Sequence, residues 1–341
     1  MSKKNFFNKK PFFIAEISGN HNGKISNAKK LIDIAKSGGA DAVKLQTYTP
    51  EMMTIKNNKK IKHGLWKNYN LWDLYKKAET PLSWHKELFD YANKKRIKIF
   101  SSPFSEEAVD FLEKLRCQIY KVSSFEMNDL NLIKKISLTK KPIIISTGLA
   151  SLDEIDRTLK TAKKYGSRDI SLLYCVSNYP SKISDFNLNN LEILRKKFKT
   201  RIGLSDHTVG SFISCMSVIK GAEIIEKHIC LKNVNSVDSK FSLNEKNIDK
   251  FRKDINDSYA LIKNKNFLRS ESEMKNKIFR RSIYAISNIN HGEKFSKNNI
   301  KTFRPAIGLC ASQFLKILNK KSPIRIKKGK PLGKNILTKI K

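Results

Sequence analysis

The sequence predicts a (β/α)₈ barrel followed by a small second domain, and three observations lead to this fold class. Eight short runs rich in β-branched and aromatic residues recur along the first part of the chain. Amphipathic stretches with an apolar period near 3.6 residues separate these runs, as helices between parallel strands do. Polar clusters follow the runs directly, and barrels build active sites on the loops at the carboxyl ends of their strands.

Each run has the length of one strand. The runs cover residues 12–17, 42–45, 97–100, 118–122, 142–146, 170–176, 201–204 and 222–225. Helical periodicity is clearest at residues 28–36, 84–93, 106–115 and 188–198. Ser151 and Glu154 form a capping-box pattern, which predicts a further helix. No G-x-G-x-x-G turn follows the first run, so a closed parallel barrel is favoured over an open doubly wound sheet.

An overlong connection, residues 49–81, interrupts this alternation after the second run. It is rich in aromatic residues, namely Trp66, Tyr69, Trp72 and Tyr75. Long insertions on the active-site face of a barrel are often binding loops. The alternative is an aromatic cluster that only packs the insertion down, and both interpretations stay open.

The alternation ends near the carboxyl end of the barrel. Residues 1–266 are predicted to form the barrel domain, and residues 267–280 are polar and typical of a linker. Residues 281–341 contain short apolar runs and turn signals at His291-Gly292 and Lys328-Gly329. They predict a small β-rich domain, too small for much stability unless it docks on something.

The 341-residue chain carries 68 basic and 31 acidic residues, a formal charge of +37. The lysines are spread over nearly every predicted helix, so we expect no nucleic-acid partner; a nucleic-acid-binding protein on a barrel scaffold is the remote alternative. No apolar run has the length of a membrane span, and no apolar signal region follows the charged start. We therefore expect a cytoplasmic protein without a membrane partner. The five cysteines are scattered singly, which predicts reduced thiols.

Strand alternation sorts the polar clusters by the face they occupy. Residues two apart in a strand share a face, which groups Lys44 with Gln46, Lys121 with Ser123, and Glu226 with His228. A lysine that points into a barrel is costly to bury without an anion. Two such lysines beside hydroxyl and amide donors favour a phosphate or carboxylate site; these donors are Ser102, Ser124 and the turn 146–148. The alternative for either lysine is extension to solvent.

Two histidines end the predicted seventh and eighth strands, which are neighbours in a barrel. His207 and His228, with Asp206 and Glu226 beside them, suit a divalent metal that keeps positions open for substrate. The alternative is that each histidine is structural. His21, after the first strand, fits a metal ligand, an acid–base group or a turn residue equally well.

Taken together, the clusters closely resemble the sialic acid synthase family, from about residue 11 to the end of the chain. The motifs that carry the resemblance are residues 20–23, 44–47, 101–104, 121–124, 146–148, 179–180, 203–208 and 226–228. The tail from Arg280 to Pro305 resembles the family's antifreeze-like (SAF) domain.

The resemblance implies condensation of phosphoenolpyruvate with a six-carbon N-acetylated amino sugar, with addition of water and release of phosphate. It also implies a divalent metal, usually Mn²⁺ with Mg²⁺ or Co²⁺ as alternatives. A domain-swapped homodimer is implied as well, in which each SAF domain covers the partner's barrel.

The same resemblance assigns roles to individual residues. Phosphoenolpyruvate is expected at Lys44, Ser102, Lys121, Ser124, Ser146, Ser177 and Ser205, and the metal at His207 and His228. The sugar is expected at Gln46, Tyr179, Asp238 and Arg304, with Arg304 from the other subunit and Asn22 linked to sugar choice. The expected catalytic groups are Lys44, Lys121, His207 and the proton-transfer candidates Glu126 and Glu226.

Within the family, the segments 44–50, 65–66, 71–75 and 80–85 are most similar to the pseudaminic acid synthase branch. That branch implies a 6-deoxy di-N-acetylated altrose as the sugar. The alternatives are N-acetylmannosamine and the legionaminic acid precursor. Two segments depart from the family pattern. Residues 233–238 lack the glycines usual before Asp238, so the match that assigns Asp238 to the sugar is weaker. Residues 308–311 replace a more proline-like run, so the match for the backbone after Arg304 is weaker too.

Overall fold

The computed structural model describes residues 6–7, 11–264 and 266–340, and the chain divides into two compact units, Met1–Asn264 and Lys265–Lys341. The first unit is a closed barrel of eight parallel strands, which confirms the predicted fold class. Its strands are β1 (Phe12–Glu16), β2 (Ala42–Thr47), β3 (Lys98–Pro103), β4 (Tyr120–Val122), β5 (Ile143–Ser146), β6 (Ile170–Cys175), β7 (Arg201–Asp206) and β8 (Ile224–His228).

Several strands extend further than the sequence predicts, because the polar clusters are part of the ladders. β8 pairs with β1 through to His228 opposite Glu16, and β2 pairs with β3 through to Thr47 opposite Pro103. A polar side chain that alternates into the barrel mouth does not interrupt the backbone pairing. The apolar run therefore underestimates the strand, and the polar residues occupy its last two or three positions.

The barrel helices follow the strands as expected. They are α1 (Ile25–Ser37), α2 (Pro50–Met53), α3 (Leu71–Ala78), α4 (Leu82–Lys94), α5 (Glu106–Lys114), α6 (Leu130–Leu138), α7 (Leu152–Lys164), α8 (Asn189–Phe198), α9 (Phe212–Ile219) and α10 (Ile248–Ile262). The predicted capping box begins α7: the Glu154 amide donates to Ser151 Oγ at 3.2 Å, and the Ser151 amide donates to Glu154 Oε2 at 2.7 Å. In the described part of the chain, no helix has the length and apolar content that a bilayer crossing requires.

The connection between β2 and α4 contains the two short helices α2 and α3. Asn70 caps α3 by accepting a hydrogen bond from the Asp73 amide at 2.8 Å. Gly19, after β1, lies so close to this insertion that a Cβ there would meet Ala78 at 2.8 Å. The close approach docks the end of α3 against the mouth of the barrel.

The second unit contains the small sheet that the sequence predicts, but much of its chain lies outside regular strands. Two short antiparallel strands, β9 (Ser282–Ala285) and β10 (Ile300–Phe303), form its sheet, and isolated bridges extend the pairing. Its helices are α11 (Glu271–Lys275), α12 (Phe314–Ile317) and α13 (Ile336–Lys339). The segment 267–280, expected to be a linker, contains α11 because Ser270 caps that helix by accepting from the Glu273 amide at 3.1 Å.

Candidate functional site

A cavity of about 370 Å³ opens at the carboxyl ends of the barrel strands. Two sets of side chains, both in the barrel unit, form much of its lining. The polar floor comes from the strand ends and the segments that follow them, and consists of Lys44, Gln46, Lys121, Ser146, Ser205, His207, Glu226, His228 and Asp238. The apolar wall comes from the insertion after β2 and consists of Met53, Ile61, Trp66, Leu71, Leu74 and Ala78.

Lys44 lies buried in the floor, as strand alternation predicts. Its Nζ contacts the Glu16 carboxylate and lies 3.4 Å from Ser102 Oγ and 4.0 Å from Glu226 Oε1. Burial alone lowers the pKa of Lys44, but the carboxylates of Glu16 and Glu226 outweigh it and raise the pKa above its usual range. Lys44 is therefore a cation near neutral pH.

Lys121 lies on the other side of Glu226. Its Nζ donates to Ser146 Oγ at 2.7 Å and to the Val122 carbonyl at 2.9 Å, and it lies 4.0 Å from Glu226 Oε1. Burial lowers the pKa of Lys121. An added anionic ligand would raise the pKa of this amine and favour its charged form.

Glu226 sits between the two lysines as an ionised group. Burial raises its pKa, but Lys121 and Lys44 more than offset this, and the pKa is lowered overall. Ser205 Oγ also donates to Glu226 Oε1 at 3.1 Å. Glu226 thus supplies an anion to both buried lysines before a substrate binds. Glu16 differs, because burial raises its pKa and outweighs the opposite effect of Lys44.

Small hydroxyl groups surround the Gly148 amide next to Lys121. The amide donates to Ser124 Oγ at 3.1 Å. A Cβ on Gly148 would lie 2.2 Å from Ser177 Oγ and 2.7 Å from Ser124 Oγ, so a larger residue does not fit. Ser124 and Ser146 line the cavity, whereas Ser102 and Ser177 do not, and the anion-binding role of the set stays a prediction.

The two histidines of the floor face each other, with ring centroids 5.4 Å apart. His207 Nδ1 lies 3.1 Å from the Val176 carbonyl, which favours a proton on Nδ1 and a free lone pair on Nε2. The buried His228 Nδ1 has no hydrogen-bond partner and lies 3.3 Å from Asp238 Oδ2. Asp238 has a lowered pKa: burial raises it, but His228 outweighs that effect.

This donor set fits a divalent metal that takes two imidazoles from the protein. The Val176 carbonyl beside His207 Nδ1 and the Asp238 carboxylate beside His228 Nδ1 are the kinds of partner that orient metal-ligating histidines. Within residues 6–7, 11–264 and 266–340, no three His, Cys, Asp or Glu side chains converge as a ligand group. The remaining coordination positions would therefore fall to water or substrate.

Asp206 does not join the histidines, contrary to the sequence interpretation. It points away from the cavity, where its Oδ2 lies 3.1 Å from Lys227 Nζ and its Oδ1 accepts from the Thr208 amide at 2.8 Å. Alternation explains this, because Ser205 and His207 occupy the inward face of the same strand.

Glu126 and Tyr179 complete the cavity near the floor. Glu126 is hydrogen-bonded to Ser123, and burial raises its pKa to about 7, with Lys121 acting in the opposite direction. A carboxyl group with that pKa exchanges protons readily at neutral pH. The Tyr179 ring packs against the His207 ring at a tilt of 40°, with centroids 4.4 Å apart.

Besides Ser102, Ser177 and Asp206, three more residues singled out from the sequence are absent from the cavity lining. Asn22 is an exposed turn residue with φ of 49°. His21 is buried, with Nε2 3.2 Å from Thr80 Oγ1, and burial lowers its pKa to about 4, so it is a neutral, structural group. Arg304 lies in the second unit, where its side chain is exposed.

Two further residues contribute to the site, although sequence reasoning missed them. Glu16 is a carboxylate at the end of an otherwise apolar strand, and that isolated charge was an available signal. Cys175 lines the cavity with Sγ 3.9 Å from His207 Nδ1, but an apolar run that ends in cysteine gives no such signal.

Comparison with known proteins places this geometry in a family. A sequence model of the NeuB family matches residues 31–266. The chain is 42% identical to the pseudaminic acid synthase of Helicobacter pylori and 40% identical to that of Campylobacter jejuni, in each case over 95% of this chain and 96% of the relative. The crystal structure of the N-acetylneuraminic acid (sialic acid) synthetase from Leptospira borgpetersenii, in complex with citrate, has a TM-score of 0.71 and 29% identity over 79% of this chain and 90% of that one. These matches confirm the resemblance found in the sequence, and the chain belongs to the NeuB family.

Proposed function

We propose that this protein condenses phosphoenolpyruvate with a 6-deoxy di-N-acetylated altrose and water, giving pseudaminic acid and phosphate. The observation that carries the proposal is the polar floor, where two buried lysines and a hydroxyl cradle lie beside two facing histidines. The two similar proteins named pseudaminic acid synthase support the choice of sugar. Because phosphoenolpyruvate is a cytoplasmic metabolite, we place the reaction in the cytoplasm.

The reaction balances with the groups present in the floor. A bond forms between C3 of phosphoenolpyruvate and the aldehyde carbon of the open-chain sugar, water adds at C2, and phosphate leaves by cleavage of its C–O bond. Lys44 and Lys121, with Ser124, Ser146 and Ser205, hold the carboxylate and phosphate. Ser102 and Ser177, which the sequence also assigns to phosphoenolpyruvate, do not line the cavity; Ser102 lies beside Lys44 and Ser177 beside Gly148, so they support the residues that do. Lys121 stabilises the charge that grows on the leaving phosphate.

Proton transfer is assigned to two carboxyl groups. Glu126, whose pKa is about 7, gives or takes a proton near neutral pH. Glu226, ionised between the lysines, is positioned to accept one from the attacking water. Gln46, Tyr179 and Asp238 orient the sugar from the rim of the floor.

His207 and His228 hold the metal in this proposal, and Mn²⁺ is the first choice, with Mg²⁺ or Co²⁺ as alternatives. The bound ion supplies Lewis-acid polarisation of the sugar aldehyde. The Val176 carbonyl and Asp238 set the orientation of the two rings.

We also propose a domain-swapped homodimer in which the second unit is a SAF domain that brings Arg304 to the partner's barrel. Large apolar side chains are exposed on the loops after three strands at the active-site face. Phe125, Leu149 and Val209 are 57%, 77% and 72% exposed. Exposed apolar groups of this kind suit burial against a partner.

Phosphate release tests the proposal. The enzyme with Mn²⁺ and phosphoenolpyruvate is offered the altrose derivative, the legionaminic precursor or N-acetylmannosamine, with His207→Ala as control. Release with the altrose derivative, lost in the control, is expected. Release only with another of these sugars would overturn the assigned sugar, and release with none would overturn the synthase assignment. The nucleic-acid alternative instead predicts RNA or DNA binding with a steep salt dependence.

A further inference from the structure

Binding of phosphate, carboxylate or metal does not explain the apolar wall, because none of the wall side chains suits these groups. Met53, Ile61, Trp66, Leu71, Leu74 and Ala78 all come from the insertion after β2. We infer that this wall selects the sugar by its apolar groups, accepting a methyl group at C6 and acetamido methyl groups and rejecting a C6 hydroxyl. The inference rests on the proposed function and identifies residues that determine its specificity.

The wall lies within reach of the far end of a sugar whose aldehyde is at the histidines. The centroid of the Trp66 ring is 5.0 Å from that of the Tyr179 ring, and the Tyr179 ring packs against His207 with centroids 4.4 Å apart. Only one aromatic ring therefore separates the wall from the reacting end of the floor. With the aldehyde carbon held there, the remaining sugar carbons extend toward the wall.

The wall is held rigidly against the barrel. Trp66 Nε1 donates to the Val237 carbonyl at 3.1 Å, next to the floor residue Asp238. A Cβ on Gly19 would lie 2.8 Å from both Ala78 and Val237, so these elements are in close contact. A preformed apolar surface recognises shape without an ordering cost.

The wall side chains offer a sugar no hydrogen-bond donor. The indole N–H of Trp66 is committed to the Val237 carbonyl, and the other wall side chains carry no conventional hydrogen-bond donor. A hydroxyl buried there loses its water without gaining a partner, whereas a methyl group gains burial. Tyr48 and Tyr75, whose rings are 5.8 Å apart, line the cavity beside the wall.

The apolar wall distinguishes classes of sugar by their apolar and hydroxyl groups. The altrose derivative and the legionaminic precursor are both 6-deoxy and di-N-acetylated, so the wall suits both. N-Acetylmannosamine carries hydroxyl groups at C4 and C6. An apolar pocket discriminates against an added hydroxyl by about 10²-fold, and that is the preference we expect for the altrose derivative.

The test compares Leu71→Asn and Ile61→Asn, which place an amide in the wall, with Ile55→Asn. Ile55 belongs to the same insertion, is 85% exposed and does not line the cavity, so it is a matched control. The readout is the ratio of kcat/KM for the altrose derivative to that for N-acetylmannosamine, measured by phosphate release at enzyme concentrations high enough to follow the slower sugar. A fall in protein stability alone lowers both values and leaves the ratio unchanged.

We expect each wall variant to lower this ratio about tenfold, while Ile55→Asn leaves it within about twofold of wild type. An unchanged ratio in both wall variants would overturn the inference. Equal or better use of N-acetylmannosamine by the wild type would overturn it too, while the synthase reaction would stand. If the wild type releases phosphate with neither sugar and not with the legionaminic precursor, the proposed function is rejected, and the inference with it.

Discussion

The floor and the wall of the same cavity are built in opposite ways. The floor consists mainly of polar side chains at the ends of barrel strands, where the ladder fixes each position and burial forces each charge to find a partner. The wall consists of apolar side chains on an insertion whose place depends on packing against Gly19 and Val237. In the function that we propose, the strands carry the condensation chemistry, and we infer that the insertion carries the choice of sugar.

The largest expected effect comes from removing a floor cation. Lys121→Ala deletes the amine that donates to Ser146 and leaves Glu226 with a single lysine. We expect kcat to fall by about 10²–10³-fold, since that is the usual effect of losing one donor at a site of developing negative charge. Steady-state phosphate release measures it.

The matched control is Lys160→Ala, since Lys160 forms an exposed i,i+4 pair with Asp156 on α7. That variant is expected to leave kcat unchanged and to alter stability by less than about 1 kcal/mol. Equal loss of activity in both variants would show that Lys121 acts through folding alone.

The next effect concerns Glu126, which lines the cavity together with floor and wall residues. Lys121 opposes the effect of burial on the pKa of Glu126, and burial and the charge of Glu126 raise the pKa of Tyr75. Its pKa is raised by burial to about 7 from the ordinary value of 4.5, so the folded state holds a proton that the unfolded state releases. The resulting stabilisation is fully present below pH 4.5 and is lost as pH rises through 7. The slope is at most about 1.4 kcal/mol per pH unit.

Urea unfolding at several pH values measures this contribution. Glu126→Gln removes the titrating group, so the free energy of unfolding of the variant should decline less between pH 4.5 and 7 than that of wild type. Parallel pH profiles for the two proteins would contradict the raised pKa.

A smaller effect is expected at the junction of wall and floor. Trp66→Phe keeps an aromatic ring but removes the hydrogen bond to the Val237 carbonyl. A net loss of about 1 kcal/mol is usual for one such bond, so KM for the sugar should rise about fivefold while KM for phosphoenolpyruvate stays constant. Equal changes in both KM values would mean that the wall and the floor are not separate binding regions.

The smallest effect is expected outside both regions. Asn22 is exposed, adopts a left-handed backbone conformation and does not line the cavity. Asn22→Ala should lower stability by about 1 kcal/mol through its backbone conformation and leave sugar preference unchanged. A shift in the sugar ratio, measured as above, would assign Asn22 a part in sugar choice after all.

The sequence by itself determined the barrel and most of the floor. Eight β-branched runs alternating with helical periods predict the closed sheet, and the two-residue strand period places Lys44, Lys121, Glu226 and His228 on its inner face. These features are local in the chain, so they can be read from spacing. The strand ends were underestimated because polar residues in a barrel mouth interrupt the apolar pattern without interrupting the ladder.

Only the tertiary structure decided which groups meet across the barrel. It placed Glu16 against Lys44, directed Asp206 away from the histidines to Lys227, and left Asn22 outside the cavity. It also turned side chains between residues 53 and 78 into an apolar wall, where the sequence left a binding loop and a packing cluster equally open. The physical reason is that tertiary packing decides which groups distant in sequence become partners. Packing also decides which groups are buried, and burial is what raises the pKa of Glu126 to about 7.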